Sequence, residues 1–145
     1  PASMLVLAVL LAGLSVRVDR EVAVLDAFYD LPDDVPTQPG VLLRSEPFDR
    51  GMPTGSVAHR ILYTTTRADG VPAVASGIVA IPDRPSDGPR PVLAWAHGTT
   101  GVARHCAPSA MADPWAGGSI ALLQEAVDRD WAVVATDYVG LGAAG

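Results

Sequence analysis

An apolar run, PVLAWA at residues 91–96, breaks abruptly into the loop HGTTG, from His97 to Gly101. Small residues let the backbone N–H groups of such a loop converge on one point, and Thr99 and Thr100 add hydroxyl donors. This is the composition of an oxyanion hole, which stabilises the charge on a tetrahedral intermediate of acyl transfer; one well-aimed donor is worth about 3 kcal/mol. A second apolar run, WAVVATD from Trp131, leads into DYVGLG at residues 137–142. Strand ends of this kind are where open α/β sheets bind ligands.

The nucleophile is not in view. No G-x-S-x-G occurs in the 145 residues, so the sequence predicts the N-terminal portion of a longer enzyme, truncated before the nucleophile elbow, that hydrolyses nothing by itself. GGSIA at residues 117–121 imitates an elbow around Ser119. The elbow needs a buried strand before it, however, and a serine opening an amphipathic run is an N-cap. Histidine as a residue type suits general-base work, yet beside a strand end and before Gly98 the expected work of His97 is to hold the loop by hydrogen bonding. Asp137 is expected to fasten the HGTTG and DYVGLG loops together. His59 and His105 read as surface residues.

These loops need a sheet to carry them. VLLRSEPF from Val41 and RILYTTT from Arg60 read as strands. The tetrad RADG then turns the chain into VPAVASGIVAIP, residues 71–82, a long partner strand with a bulge expected at Gly77. The preceding segment, REVAVLDAFYDLPDDVPTQPG, reads as an extended approach rather than a packed element. PVLAWA is apolar throughout, as expected of a strand covered on both faces. SIALLQEAVDRD sets Ile120, Leu123, Ala126 and Val127 on one helical face. Strand, loop, helix and strand make a parallel βαβ unit fed by an antiparallel hairpin: an α/β architecture. Ending after WAVVAT, the chain is expected to leave that strand as an open edge prone to aggregation.

Composition narrows the function. The net charge of −6 and the scattered basic residues, all ten of them arginine, argue against a nucleic-acid partner. Cys106 is the only cysteine, which leaves either a small buried thiol or half of a disulfide with a partner elsewhere. The uncharged run from Met4 to Val16 has the length of a signal-peptide core and is too short for a comfortable membrane span. Residues 1–20 are therefore read as a signal-like or anchor segment and 21–145 as an incomplete catalytic domain, with export or the cell envelope as its location.

YTTTRADG, AHGTTG, the CAPS tetrad from Cys106 to Ser109, and ATDYVGLG together resemble the secretory lipase family of α/β-hydrolases. FYDLPDDVP and PGVLLRSEPF look like that family's opening segment, so the resemblance runs from Phe28 onward. It implies a serine lipase or esterase acting on acylglycerol-type esters, whose nucleophile, acid and histidine all lie beyond Gly145. Thr99 and Thr100 match the position from which the family supplies an oxyanion amide and a polar side chain, where fungal members carry an acidic residue. His97, Gly98, Gly101 and Asp137 fall in supporting places, and Cys106 matches a cysteine that some secreted relatives pair in the later half. The resemblance implies an ester or lipid substrate and transient contact with a lipid interface, no cofactor and no metal; it leaves the oligomeric state open. Two alternatives keep the fold: an acyltransferase or serine peptidase using the same loop, and a non-catalytic envelope protein that only binds.

Overall fold

The computed structural model describes residues 23–115 and 120–144. The apolar run from Met4 to Val16 and the N-cap read at Ser119 lie outside the described residues. Five strands form one mixed sheet: β1 Leu42–Phe48, β2 Ser56–Thr66, β3 Pro72–Pro82, β4 Val92–Ala96 and β5 Ala132–Thr136. The helix α1, Ile120–Asp128, connects β4 to β5. The spatial order is β1-β2-β3-β5-β4, with β4 and β5 parallel and every other neighbouring pair antiparallel.

The β2–β3 hairpin closes through RADG: the Gly70 amide donates to the Arg67 carbonyl and the Asp69 side chain accepts from the Val71 amide. Gly70 takes φ +81, which suits its lack of a Cβ. No bulge occurs at Gly77, contrary to the sequence expectation. The register runs unbroken from Ser56 opposite Pro82 to Thr66 opposite Pro72, and the one irregularity lies in β1 between Leu42 and Arg44. Gly77 has a different cause. A Cβ there would sit 2.6 Å from the Ala135 carbonyl oxygen, so glycine is what lets β5 approach β3.

Even-numbered residues of β2 and β3 share one face, and that face carries the core. At one end Ala58, Ile78 and Ala80 meet Val133 and Ala135 of β5, Leu123 and Ala126 of α1, and Trp115. At the other end Leu62 and Val74 are covered by Phe28, Tyr29, Ala107, Ala110 and Leu141. Ile120 does not join this core; it is 40% exposed, while Leu123, Ala126 and Val127 are buried.

The approach segment is packed rather than extended. Ala27–Tyr29 forms a 3-10 turn whose Asp26 side chain caps the Phe28 amide, and Phe28 and Tyr29 are both buried. One guanidinium nitrogen of Arg44 donates to the carbonyls of Ala27, Phe28 and Asp30 at 2.7–3.1 Å. Arg60 lies over the Phe28 ring, 4.2 Å from its centroid, between the carboxylates of Asp26 and Glu46. Side-chain donors thus satisfy backbone groups that proline and aspartate punctuation had marked as irregular.

Two strand expectations are corrected together. β5 lies inside the sheet between β3 and β4, so among the described residues the edge strands are β1 and β4, and the parallel part of the sheet is open at β4. β4 is consequently not covered on both faces: Val92 is 62% exposed, and only Leu93 and Trp95 pack against the core. The strand buried on both faces is β3, from Ala73 to Ile78, where alanine, serine and glycine permit close neighbours.

Gly77→Ala is expected to destabilise the full-length protein by about 1–3 kcal/mol through overpacking against β5. Gly88→Ala, where a Cβ meets nothing within 4 Å, should leave the melting temperature unchanged. Thermal unfolding of the two variants checks this, and equal melting temperatures would refute the close-approach account.

Candidate functional site

Ala96 at the end of β4 lies opposite Thr136 at the end of β5 in the parallel pair. His97 and Asp137 are therefore the first residues of two loops leaving the same end of the sheet. The loops touch through Tyr138. Its hydroxyl donates to the His97 carbonyl at 2.7 Å, and its ring stacks on the imidazole with centroids 4.2 Å apart and planes 24° apart.

His97 Nδ1 lies 2.6 Å from the Gly98 carbonyl oxygen. A carbonyl only accepts, so Nδ1 carries the proton and Nε2 is left as an acceptor. Nε2 is buried without a partner among the described residues, and so is Thr100 Oγ1. Orphaned buried polar atoms cost about 1–3 kcal/mol each, which favours any ligand or segment that completes them. Among the described residues the amides of Gly98, Thr99 and Thr100 likewise engage no backbone or side-chain acceptor. Gly98 and Thr99 are exposed and Thr100 is half-buried.

Beneath the loops sits Asp137, 1% exposed. Its carboxylate accepts from Ser76 Oγ at 2.5 Å, Ser109 Oγ at 2.5 Å and the Ser109 amide at 3.0 Å. Tyr29 Oη is 2.9 Å from Ser109 Oγ, and because Ser109 gives its proton to Asp137, Tyr29 is the donor. Burial pushes the Asp137 carboxyl up from its ordinary value, against the pull of the Ser109 and Ser76 hydroxyls. The expectation that Asp137 fastens the HGTTG loop to the DYVGLG loop is thus corrected. Asp137 ties its own loop downward, to β3 and to the CAPS segment, and Tyr138 makes the contact between the loops.

CAPS folds as two short 3-10 turns, Arg104–Cys106 and Pro108–Ala110. Arg104 laces the first to the neighbouring loop: Nε donates to the Gly142 carbonyl at 2.8 Å, and its own carbonyl accepts from the Gly142 amide at 2.8 Å. Gly142 takes φ +67, and a Cβ there would collide with Ser76 Oγ and lie 3.0 Å from the Tyr29 ring. Cys106 is half-buried with its Sγ against Gly101, where a Cβ would collide with it. His59 and His105 are exposed; His59 Nδ1 is 3.0 Å from Ser45 Oγ on the neighbouring strand. Among the described residues no group of three or more His, Cys, Asp or Glu side chains is placed to hold a metal ion.

Sequence reasoning missed four members of this region: Tyr138, Ser76, Ser109 and Tyr29. Ser76 did carry a signal, since a lone hydroxyl in a run as apolar as VPAVASGIVAIP requires a buried partner.

No protein-family model and no curated sequence matches the chain; its likeness to known proteins is structural. Candida antarctica lipase A in its closed state superposes with a TM-score of 0.65 at 21% identity, over 82% of this chain and 30% of the lipase. The rice cell wall degrading esterase LipA from Xanthomonas oryzae does so with a TM-score of 0.53 at 26% identity, over 72% of this chain and 30% of the esterase. The described chain carries part of an α/β-hydrolase fold of the kind seen in lipases and esterases, and spans about 30% of the length of these structures.

Asp137 should make stability depend on pH. Unfolded, it titrates near its ordinary value of 3.8; folded, its pKa is raised. In between, the folded state holds a proton that the unfolded state has released. The favourable contribution is therefore complete below 3.8 and is lost as pH rises through the folded pKa. Asp137→Asn should remove this dependence, and Asp137→Ala, which orphans two hydroxyls and an amide, should cost about 3 kcal/mol at every pH. Urea unfolding of the full-length protein from about pH 4 to about pH 8 tests both; parallel profiles for wild type and Asp137→Asn would exclude the titration.

Proposed function

We propose that this chain is the N-terminal portion of an exported serine esterase or lipase, in which the HGTTG loop supplies the oxyanion hole. The observation that carries this reading is the pairing of a buried Thr100 hydroxyl with loop amides, all without partners among the described residues, at the sheet end from which β4 and β5 project their loops. Acyl transfer to a serine places negative charge on a carbonyl oxygen. Amides of Thr99 and Thr100, with the Thr100 hydroxyl, are donors of the kind that charge needs. On this reading the nucleophile, the acid and the catalytic histidine come from sequence beyond Gly145, and β4 offers its free edge to that remainder.

Several supporting features fit. The likeness to a lipase and an esterase favours carboxylic esters as substrates. His97 takes a loop-shaping role, since its Nδ1 proton is engaged by Gly98. Among the described residues no helix is long and apolar enough to cross a membrane, and the uncharged run from Met4 to Val16 supports export. Cys106 is half of a disulfide with a cysteine outside these residues. Thiol-reactive mass labelling of the exported full-length protein without reductant should leave Cys106 unmodified, and complete modification would overturn the pairing.

In the full-length protein Thr100→Pro, which deletes the amide, should lower kcat on p-nitrophenyl esters by about a hundredfold or more. Thr100→Ser should cost far less. A fluorophosphonate should label a serine beyond residue 145 and leave Ser119 untouched. Equal, mild effects of the two substitutions would remove the loop from the mechanism.

A further inference from the structure

We infer that Tyr138 is a positioning residue for the oxyanion loop: together with His97 it pins the two consecutive peptide planes that lead to Thr99, and so sets the direction of the Thr99 N–H, one of the proposed oxyanion donors. This rests on the esterase reading and adds to it a residue outside the HGTTG motif. Among the described residues there is no cis peptide bond, and in a trans peptide the N–H points opposite to the C=O. The Tyr138 hydroxyl holds the carbonyl of the His97–Gly98 peptide, which fixes the direction of the Gly98 N–H. The His97 imidazole holds the carbonyl of the Gly98–Thr99 peptide, which fixes the direction of the Thr99 N–H. Stacking of the two rings couples these bonds, because the imidazole loses its platform when the phenol leaves.

Among the described residues no other side-chain hydrogen bond reaches these two carbonyls. No ladder hydrogen bond reaches the loop among the described residues, and a Cβ on Gly98 would meet nothing within 4 Å. A glycine in open space turns freely, so the two side-chain bonds set its orientation. Tyr138 is 43% exposed and belongs to neither core cluster. Its hydroxyl therefore shapes the loop without supporting the fold.

The test uses the full-length protein and Tyr138→Phe, which keeps the ring and deletes the hydroxyl. The expected result is a kcat on p-nitrophenyl esters lower by about tenfold, with KM within about twofold and an unchanged melting temperature. Affinity for a boronic acid, which mimics the tetrahedral intermediate, should fall by a similar factor. Tyr138→Ala, which also removes the stacking, should lose more, on the order of a hundredfold. A wild-type kcat in Tyr138→Phe beside a disabled Thr100→Pro enzyme would overturn the clamp and leave the oxyanion loop standing. A loss in KM alone, or a melting temperature lowered by several degrees, would also overturn it. A wild type without esterase activity, or an undiminished Thr100→Pro, would sink the esterase reading and the clamp with it.

Discussion

Burial of a carboxylate at position 137 constrains everything around it. A carboxyl with 1% exposure is tolerable only when hydrogen-bond donors surround it, and here the donors come from distant parts of the chain. Ser76 arrives from the middle of β3, Ser109 from the CAPS segment, and Tyr29, through Ser109, from the first described turn. Satisfying one group therefore fixes the mutual position of four segments. The same crowding explains Gly142, whose missing side chain makes room for Ser76 and Tyr29. Arg104 and Arg50 then close the arrangement from outside, donating to the carbonyls of Gly142, Ser109 and Ala110.

Periodicity made the sheet legible. The strands, the hairpin turn and the βαβ unit can be found from apolar runs, β-branched residues and RADG, because each depends on neighbours close in sequence. Three features could not be read that way. The 3-10 turn at Ala27–Tyr29 is stabilised by Arg44 and Arg60 from later strands, so its local sequence shows only the aspartates and prolines of a loop. Gly77 looked like a bulge because a glycine in a strand has two explanations, and the choice turns on how closely β5 approaches. β4 read as doubly covered because an apolar run reports the residue types available for burial, whereas the coverage comes from other elements.

The candidate site was legible to a similar degree. HGTTG announces free amides and hydroxyls by composition, and the structure places them at the end of β4. What composition could not reveal is the partner on the other loop. Tyr138 follows Asp137 directly, and neighbours in an extended segment point in opposite directions. The carboxylate therefore goes down into the core network while the phenol goes across to His97. Sequence alone assigns the contact between the loops to Asp137, and the structure moves it one residue along, to Tyr138.

This division has a physical logic. A loop that must present unengaged donors cannot satisfy them internally, and two of its polar atoms, Thr100 Oγ1 and His97 Nε2, are buried without partners among the described residues. Such a loop gains nothing from collapsing on itself and needs an external frame to keep its shape. The frame here is built in layers: the network around Asp137 ties down the start of the DYVGLG loop, and that loop lends Tyr138 to the HGTTG loop. Cys106 adds a steric stop at the far end, where its sulfur rests against Gly101. The HGTTG loop is thus held near both ends by groups outside the motif, and its middle, Thr99 and Thr100, keeps its donors unspent among the described residues.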